Sequence, residues 1–304
     1  MCHLRSAIVQ VQSGWFEGAG AVNVATAVPA RVGELDLVVW RDGAGVAHAN
    51  HAHCPHLGAH LGYGGTVHDT TLRCPFHGWG FDPSGAVCEV SYSTGALPRV
   101  QAIPVPVAER ASMVFVWLGG DEPFALPTFP WFEREDVIAP DPLYFGVITA
   151  TVDDFVENAA DTVHFETVHG VAAAPALESA TFDGPIARFR TTQQYATPRG
   201  PVAGRIDIDV VGPGITYTEY TGLFDGGALA TFTPRSDRTV EFSVQFRFAP
   251  DTDAALVKAF VEGSRQQINR DIALWSHRVH HETPALVRGD GPILELREWI
   301  SQFR

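Results

Sequence analysis

Two short stretches, Cys54-Pro-His-Leu-Gly-Ala-His-Leu-Gly-Tyr-Gly-Gly65 and Cys74-Pro-Phe-His-Gly-Trp79, decide how this chain is read. They give C-x-H, seventeen intervening residues, then C-x-x-H. Cysteine occurs at about one residue in 76 and histidine at about one in 23. A chance match at this fixed spacing therefore has a probability on the order of 10⁻⁴ for the whole chain. Two thiolates and two imidazoles suit two chemistries. A structural zinc takes all four tetrahedrally, whereas a two-iron cluster puts both cysteines on one iron and both histidines on the other. The first half is tighter than the usual zinc spacing, and each half brings one sulfur and one nitrogen, so two equivalent loops can clasp a flat two-iron unit. Cys54, His56, Cys74 and His77 are thus candidate [2Fe-2S] ligands, with a zinc site as the alternative.

Around these loops, from about Ala21 to Leu118, short alternating runs such as Asp36–Trp40 and Met113–Trp117 are separated by turn signals at Asp42-Gly43 and Pro83-Ser84-Gly85. This predicts an all-β module. A glycine pair, an acidic pair and five prolines between Gly119 and Pro142 suit a crossover, which places a boundary near Gly120. The expected domains are 1–119 and 120–304. The second opens with helical spacing over Thr151–His169 and continues into strand-like runs around Ile206–Val211, Ile215–Leu223 and Thr239–Phe248. An apolar stripe from Asp253 to about His281 predicts a long helix, with Asp253 as N-cap and Pro284 as a stop. The fold class expected is α+β, an all-β domain followed by an antiparallel sheet with a long C-terminal helix.

A second constellation lies in Glu157-Asn158-Ala-Ala-Asp161-Thr-Val-His164-Phe-Glu-Thr-Val-His169. Five residues on an unbroken helix rotate two histidines by about 140°, too far for one metal, so His169 is expected where the helix ends, before Gly170. Asp161 and His164, three apart, are expected to share a helix face. Two imidazoles plus one carboxylate, with open positions, form the facial triad that binds iron(II) for oxygen activation. The C-terminal helix offers Asp271, which lies within about 60° of the centre of its apolar stripe. A carboxylate there is costly unless paired or metal-bound. The alternative is that Asp271 pairs with Arg270, Arg278 or a backbone amide; Asp253 and Asp290 are weaker candidates.

The two loops at Cys54–Gly65 and Cys74–Trp79 resemble those of Rieske non-haem iron oxygenases, and Glu157–Gly170 resembles the mononuclear-iron motif of the same family. The runs Asp271–Trp275, Pro284–Leu286, Gly289–Pro292 and Trp299–Phe303 look most like the ketosteroid 9α-hydroxylase and cholesterol 7-desaturase branch. The resemblance implies a Rieske domain followed by a helix-grip-type catalytic domain. It implies His164, His169 and Asp271 as ligands of a mononuclear iron(II). It also implies Asp161 as a bridge that hydrogen-bonds His164 and a cluster histidine, His77, of a neighbouring subunit in a homotrimer. The activity implied is that of a monooxygenase, with dioxygen as co-substrate, which hydroxylates, desaturates or demethylates a hydrophobic small molecule, steroid-like or a natural-product intermediate. With no inter-loop disulfide, and with Trp79 where the respiratory type carries a hydroxyl, a potential toward the lower end of the Rieske range is expected.

Nothing in the chain looks like a Gly-x-Gly-x-x-Gly dinucleotide loop or a plant-type ferredoxin cluster, so NAD(P)H is expected to serve only through a flavin and iron-sulfur reductase or a ferredoxin. A formal charge of −14 argues against nucleic acid, and the apolar runs are too short for a membrane span. With four cysteines and no signal peptide at its start, the chain is expected in the cytoplasm. Cys2 and Cys88 are bystanders, Cys88 as a small core residue. His48, His51, His53, His60 and His68 are expected at the surface or in hydrogen bonds. Tyr217, Tyr220, Phe224, Phe232, Phe242 and Phe246 lie on or beside strands, where core packing is the simpler expectation. The rival to an oxygenase is a Rieske-type electron carrier with no oxygenase activity of its own, which leaves the second constellation without a task.

Overall fold

The computed structural model describes residues 14–19, 23, 25–119, 122–197 and 200–304, so Cys2 and Gly120 lie outside the described residues. The chain divides into two compact units, one ending at Ala125 and including Arg235–Asp237, the other formed by Leu126–Pro234 and Arg238–Arg304.

The first unit holds strands β1 (Gly14–Ala19), β2 (Ala27–Val32), β3 (Leu35–Arg41), β4 (Ala47–His51), β5 (Thr66–His68), β6 (Thr71–Arg73), β7 (Gly80–Phe81), β8 (Val87–Glu89), β9 (Pro104–Val105), β10 (Val107–Arg110) and β11 (Met113–Leu118). They form antiparallel sheets ordered β1-β11-β10, β2-β3-β4-β9 and β5-β6-β7-β8. The run Leu37–Trp40 on β3 is fully buried, because its two faces serve different cores. Val38 and Trp40 pack with Cys54, Leu72, Cys74 and Phe81, while Leu37 and Val39 pack with Val32, Val114 and Val116. Trp40 Nε1 donates to Asn50 Oδ1 at 2.8 Å, and the buried Asn50 amide in turn donates to Ala102 O at 3.0 Å. The two turns foreseen at Asp42 and Asp82 share one device. Each aspartate Oδ1 accepts from amides two and four residues on, Ala44 and Val46 in one case, Ser84 and Ala86 in the other.

The second unit is built on a seven-stranded antiparallel sheet of β12 (Leu143–Thr149), β13 (Ala176–Asp183), β14 (Ile186–Tyr195), β15 (Val202–Val211), β16 (Ile215–Thr221), β17 (Gly226–Pro234) and β18 (Thr239–Phe248), in the order β12-β18-β17-β16-β15-β14-β13. Strand β18 alternates strictly, with Val240, Phe242, Val244, Phe246 and Phe248 buried. The helices are α1 (Val152–Ala160), α2 (His164–Thr167), α3 (Ala254–Trp275) and α4 (Ile293–Ile300). Asp253 caps α3 as foreseen, its Oδ1 accepting from Ala255 N and Leu256 N.

Three sequence expectations are corrected here. The helix expected over Thr151–His169 breaks at Asp161, whose extended backbone (φ −88°, ψ 100°) closes α1. Asp161 Oδ1 then accepts from the Val163 and His164 amides to start α2, so Asp161 and His164 meet across a turn rather than along one helix face. The long helix ends at Trp275, well before Pro284. Ser276 Oγ donates to Ile272 O at 2.7 Å, and Val279, within the span expected to be helical, is exposed. Cys88 is exposed, since on β8 the inward position falls to Val87. No helix among the described residues is long and apolar enough to cross a membrane.

Candidate metal centres and substrate cavity

In the first unit the two loops fold alike. Gly58 N donates to Cys54 O at 2.9 Å and Gly78 N to Cys74 O at 3.1 Å, each four residues beyond its cysteine. Both glycines have positive φ, 76° and 70°, which a side chain would strain. The two turns bring Cys54 and Cys74 together on the buried side, where they join the Trp40 and Phe81 core, and leave His56 and His77 half-buried outside them. The two imidazoles lie 4.8 Å apart between ring centroids, and His56 stacks on Trp79 at 4.4 Å. Trp79 Nε1 donates to Tyr92 Oη at 2.7 Å. Burial pushes the Cys54 thiol up to about 11, the backbone amide of His56 working the other way and the neighbouring Cys74 thiol adding to the rise.

The Nδ1 atoms of both His56 and His77 are buried without a hydrogen-bond partner. Orphaned imidazole nitrogens beside two buried free thiols are the arrangement a two-iron cluster would satisfy, one iron by sulfur and the other by nitrogen. Four other histidines of this unit have other partners or face solvent. His48 pairs with Asp42 at 3.1 Å, His53 lies 3.7 Å from Asp36, His60 Nδ1 accepts from Gly62 N, and His68 is exposed.

In the second unit the break after α1 and the turn after α2 aim His164 and His169 at α3. Gly170, with φ 70°, provides the left-handed turn that follows. His164, His169 and Asp271 each place one ligand atom within 4.8 Å of the others. His169 Nε2 lies 3.4 Å from Asp271 Oδ1, and the two imidazoles are 5.0 Å apart. Asp271 is therefore not paired with Arg278, which goes to Asp154 and Glu157, nor with Arg270, whose Nη1 donates to the carbonyls of Val168 and His169. Arg270 thus fastens the His169 turn to α3, a role that its sequence neighbourhood does not announce.

His164 Nδ1 faces the Asp161 carbonyl at 2.6 Å, with the Asp161 carboxylate further off at 3.7 Å, and its Nε2 is buried and unpartnered. One ring nitrogen held by a backbone carbonyl and the other left free is the usual state of a histidine ligand. Burial opposes ionisation of His164, but Asp161 beside it and the charge of Asp271 raise its pKa on balance. Asp161 is lowered for the reciprocal reason, His164 outweighing burial. Burial brings His169 down to about 4, helped by the charges of His164 and Arg270, so its ring is neutral and able to ligate. Burial pushes Asp271 up to about 7, against the pull of His164. A carboxyl so raised is a buried anion whose desolvation the neighbouring imidazoles do not offset, and a metal would remove that cost.

These residues stand in the wall between two cavities. One, of about 200 Å³, reaches from His169 and Asp271 over the sheet; the other, of about 340 Å³, meets His164 and Asp271 from the side of Glu157, Arg278 and Arg297. The first is mainly apolar. Phe232, Phe242 and Phe246 are buried, as expected of strand aromatics, and together with the half-buried Tyr220 they also line this cavity. Tyr217, on the opposite face, packs on Phe129 and donates to Glu219, and Phe224 packs on Phe248 and Phe260.

The model of the Rieske [2Fe-2S] domain matches residues 15–104, and that of the 3-ketosteroid 9alpha-hydroxylase C-terminal domain matches 121–304, well over half of the chain. The protein is therefore a Rieske non-haem iron oxygenase, whose cofactors are a Rieske [2Fe-2S] cluster and a mononuclear iron, with dioxygen as co-substrate. Within that class the chain belongs to the 3-ketosteroid 9alpha-hydroxylase C-terminal domain family. Among curated relatives, cholesterol 7-desaturase nvd of Drosophila melanogaster is 27% identical over 306 residues, covering 88% of this chain and 68% of the relative. The oxygenase component of 3-ketosteroid-9-alpha-monooxygenase of Rhodococcus rhodochrous is 28% identical over 296 residues, covering 88% and 76%. The fold is also that of dicamba monooxygenase bound to dicamba, with a TM-score of 0.76 at 18% identity over 97% of this chain and 98% of that one. Pseudomonas putida CBB5 NdmA with caffeine matches at a TM-score of 0.75 and 19% identity over 91% and 84%.

Proposed function

We propose that Cys54, His56, Cys74 and His77 hold the [2Fe-2S] cluster, that His164, His169 and Asp271 hold the mononuclear iron, and that the protein oxidises a hydrophobic small molecule. The observation that carries this is the convergence of His164, His169 and Asp271 on one point at the end of an apolar cavity. When bound, the cluster supplies electrons singly and the iron supplies dioxygen activation. The chain's own residues do the rest. The Asp161 carbonyl fixes the His164 ring, Arg270 fixes the His169 turn, and the aromatic wall formed by Phe232, Phe242 and Phe246 keeps water from the substrate's reacting face. Two imidazoles and one carboxylate are a donor set that would hold an iron(II) and leave room for dioxygen. Steroid oxidation by the relatives supports a steroid-like or similarly apolar substrate and a hydroxylation, desaturation or demethylation. Electrons come from a separate reductase or ferredoxin, in the cytoplasm. The functional unit is a ring of three chains in which Asp161 faces His77 of the neighbouring subunit.

Oxygen uptake with a surrogate reductase, measured across steroids, terpenoids and aromatic acids, tests this. Uptake coupled to an oxidised product is expected for an apolar member of the panel. A protein whose cluster is reduced and reoxidised with no substrate-dependent uptake is an electron carrier, and the proposal fails.

A further inference from the structure

The two imidazoles of the first unit are not equivalent. His56 and Trp79 lie face to face, their ring centroids 4.4 Å apart and their planes 7° from parallel, whereas His77 meets His56 at 69° and its sequence neighbour Phe76 at 39°. Among the described residues only His56 is covered by a parallel aromatic face. Trp79 is 7% exposed and belongs to the core layer that contains Cys54 and Cys74, and its carbonyl accepts from Cys74 N at 2.9 Å. Its ring therefore cannot slide off His56 without disturbing the second loop.

A buried indole N–H needs an acceptor. Trp79 finds it outside the core layer, donating to Tyr92 Oη at 2.7 Å. Tyr92 is 61% exposed and stands two residues past the buried Val90, on a turn that Ser93 N closes by donating to Val90 O at 3.1 Å. A surface residue is thus linked through one hydrogen bond and one ring stack to His56, whose Nδ1 is buried and free to ligate. The electronic consequence follows from the donor set. Two thiolates bring two negative charges to one iron and two neutral imidazoles bring none to the other, so an added electron is best accommodated at the imidazole side. While that iron is oxidised it draws density from the His56 ring, and a ring left partly positive is attracted to an indole face. Reduction weakens the attraction. Donating its N–H to Tyr92 makes the indole richer in electron density and holds it parallel, which strengthens the attraction.

We propose that Trp79 and Tyr92 form a latch on His56 that lowers the reduction potential of the cluster, with Trp79 as the positioning residue and Tyr92 acting through it. The latch favours the oxidised form, so its loss makes the cluster easier to reduce. This rests on the assignment of Cys54, His56, Cys74 and His77 as the cluster ligands, and it adds a surface residue that sets how readily the cluster takes up its electron.

The test is a mediated redox titration of the protein loaded with both metal centres, followed through the visible spectrum of the cluster. Tyr92→Phe keeps the ring that shields the indole N–H from water and removes only the acceptor. At a fixed applied potential it is expected to shift the ratio of reduced to oxidised cluster about threefold toward the reduced form, ~30 mV for a one-electron couple at about 59 mV per tenfold. Trp79→Phe should shift it in the same direction at least as far, and the double variant no further than Trp79→Phe alone, because Tyr92 acts through Trp79. The proposal is overturned if Tyr92→Phe leaves the ratio unchanged, moves it toward the oxidised form, or adds its full shift to that of Trp79→Phe. If Trp79→Phe loses the cluster, the Tyr92→Phe titration decides alone. His56→Ala separates the two levels. A His56→Ala protein that keeps two cluster irons and an unaltered spectrum removes His56 as a ligand and the latch with it, whereas a lost spectrum there beside an unmoved Tyr92→Phe titration overturns the latch alone.

Discussion

Asp271 holds a carboxylate on the buried face of a helix, a position an isolated charge does not tolerate. Its neighbours are two imidazoles rather than an arginine. Asp271→Ala is therefore expected to lower bound iron from about three to about two atoms per chain while leaving the visible spectrum of the cluster intact. Unchanged iron content would assign the third ligand elsewhere. At this scale the sequence was informative wherever chemistry depends on residue type and spacing. Two thiols and two imidazoles at fixed intervals, or a carboxylate on an apolar stripe, can be recognised before any fold is known. Arg270 could not be recognised that way, because it acts on carbonyls 101 and 102 residues away.

Among the elements, α1 depends on partners far off in the chain. Its Thr151 and Asp154 form a capping box, and its Glu157, almost fully buried, accepts from Arg297 Nε at 2.6 Å and from Arg278. Those partners are 140 and 121 residues away, and they tie α1 to α4 and to the segment after α3. Burial opposes the charge on Glu157, but the two guanidinium groups win and hold its pKa below the ordinary carboxylate value of 4.5. A lowered folded-state pKa gives stability that is fully present above 4.5 and lost as pH falls through the folded value. Glu157→Gln is expected to cost about 3 kcal/mol at neutral pH, with the difference from the unaltered protein narrowing in acid below that range; denaturant titrations at several pH values check it. The same long-range pairs explain where element boundaries were misread. The apolar stripe continues past Trp275 in the sequence, but the backbone turns at Ser276 and Arg278 is drawn to Asp154 and Glu157. The break between α1 and α2 is local and was still missed, since a helix-compatible Asp161 instead takes an extended backbone to cap the turn that follows.

For the whole molecule, the fold class, an all-β part followed by an antiparallel sheet with helices, was legible from the change of periodicity along the sequence. The cavity was not, because aromatic residues on strands read alike whether a helix presses on them or stands off. The ring proposed for the working enzyme makes Asp161 the residue that serves two chains. Because the Asp161 backbone carbonyl is the nearer partner of His164, at 2.6 Å, Asp161→Ala preserves that contact. The variant is expected to retain cluster and iron and to form product roughly 100-fold more slowly. Full turnover would show that the carboxylate links nothing. Strand β3, meanwhile, offers no solvent face anywhere along Leu37–Trp40. In an ordinary two-faced strand every second position can drift toward polarity at little cost. Here neither parity is free, and Cys54 and Cys74, the proposed sulfur ligands, share a packed layer with Val38 and Trp40. Directed variation aimed at tuning the cluster will therefore find little room in this strand, and the adjustable positions lie on the exposed rim at Leu57, Tyr63, Phe76 and Tyr92.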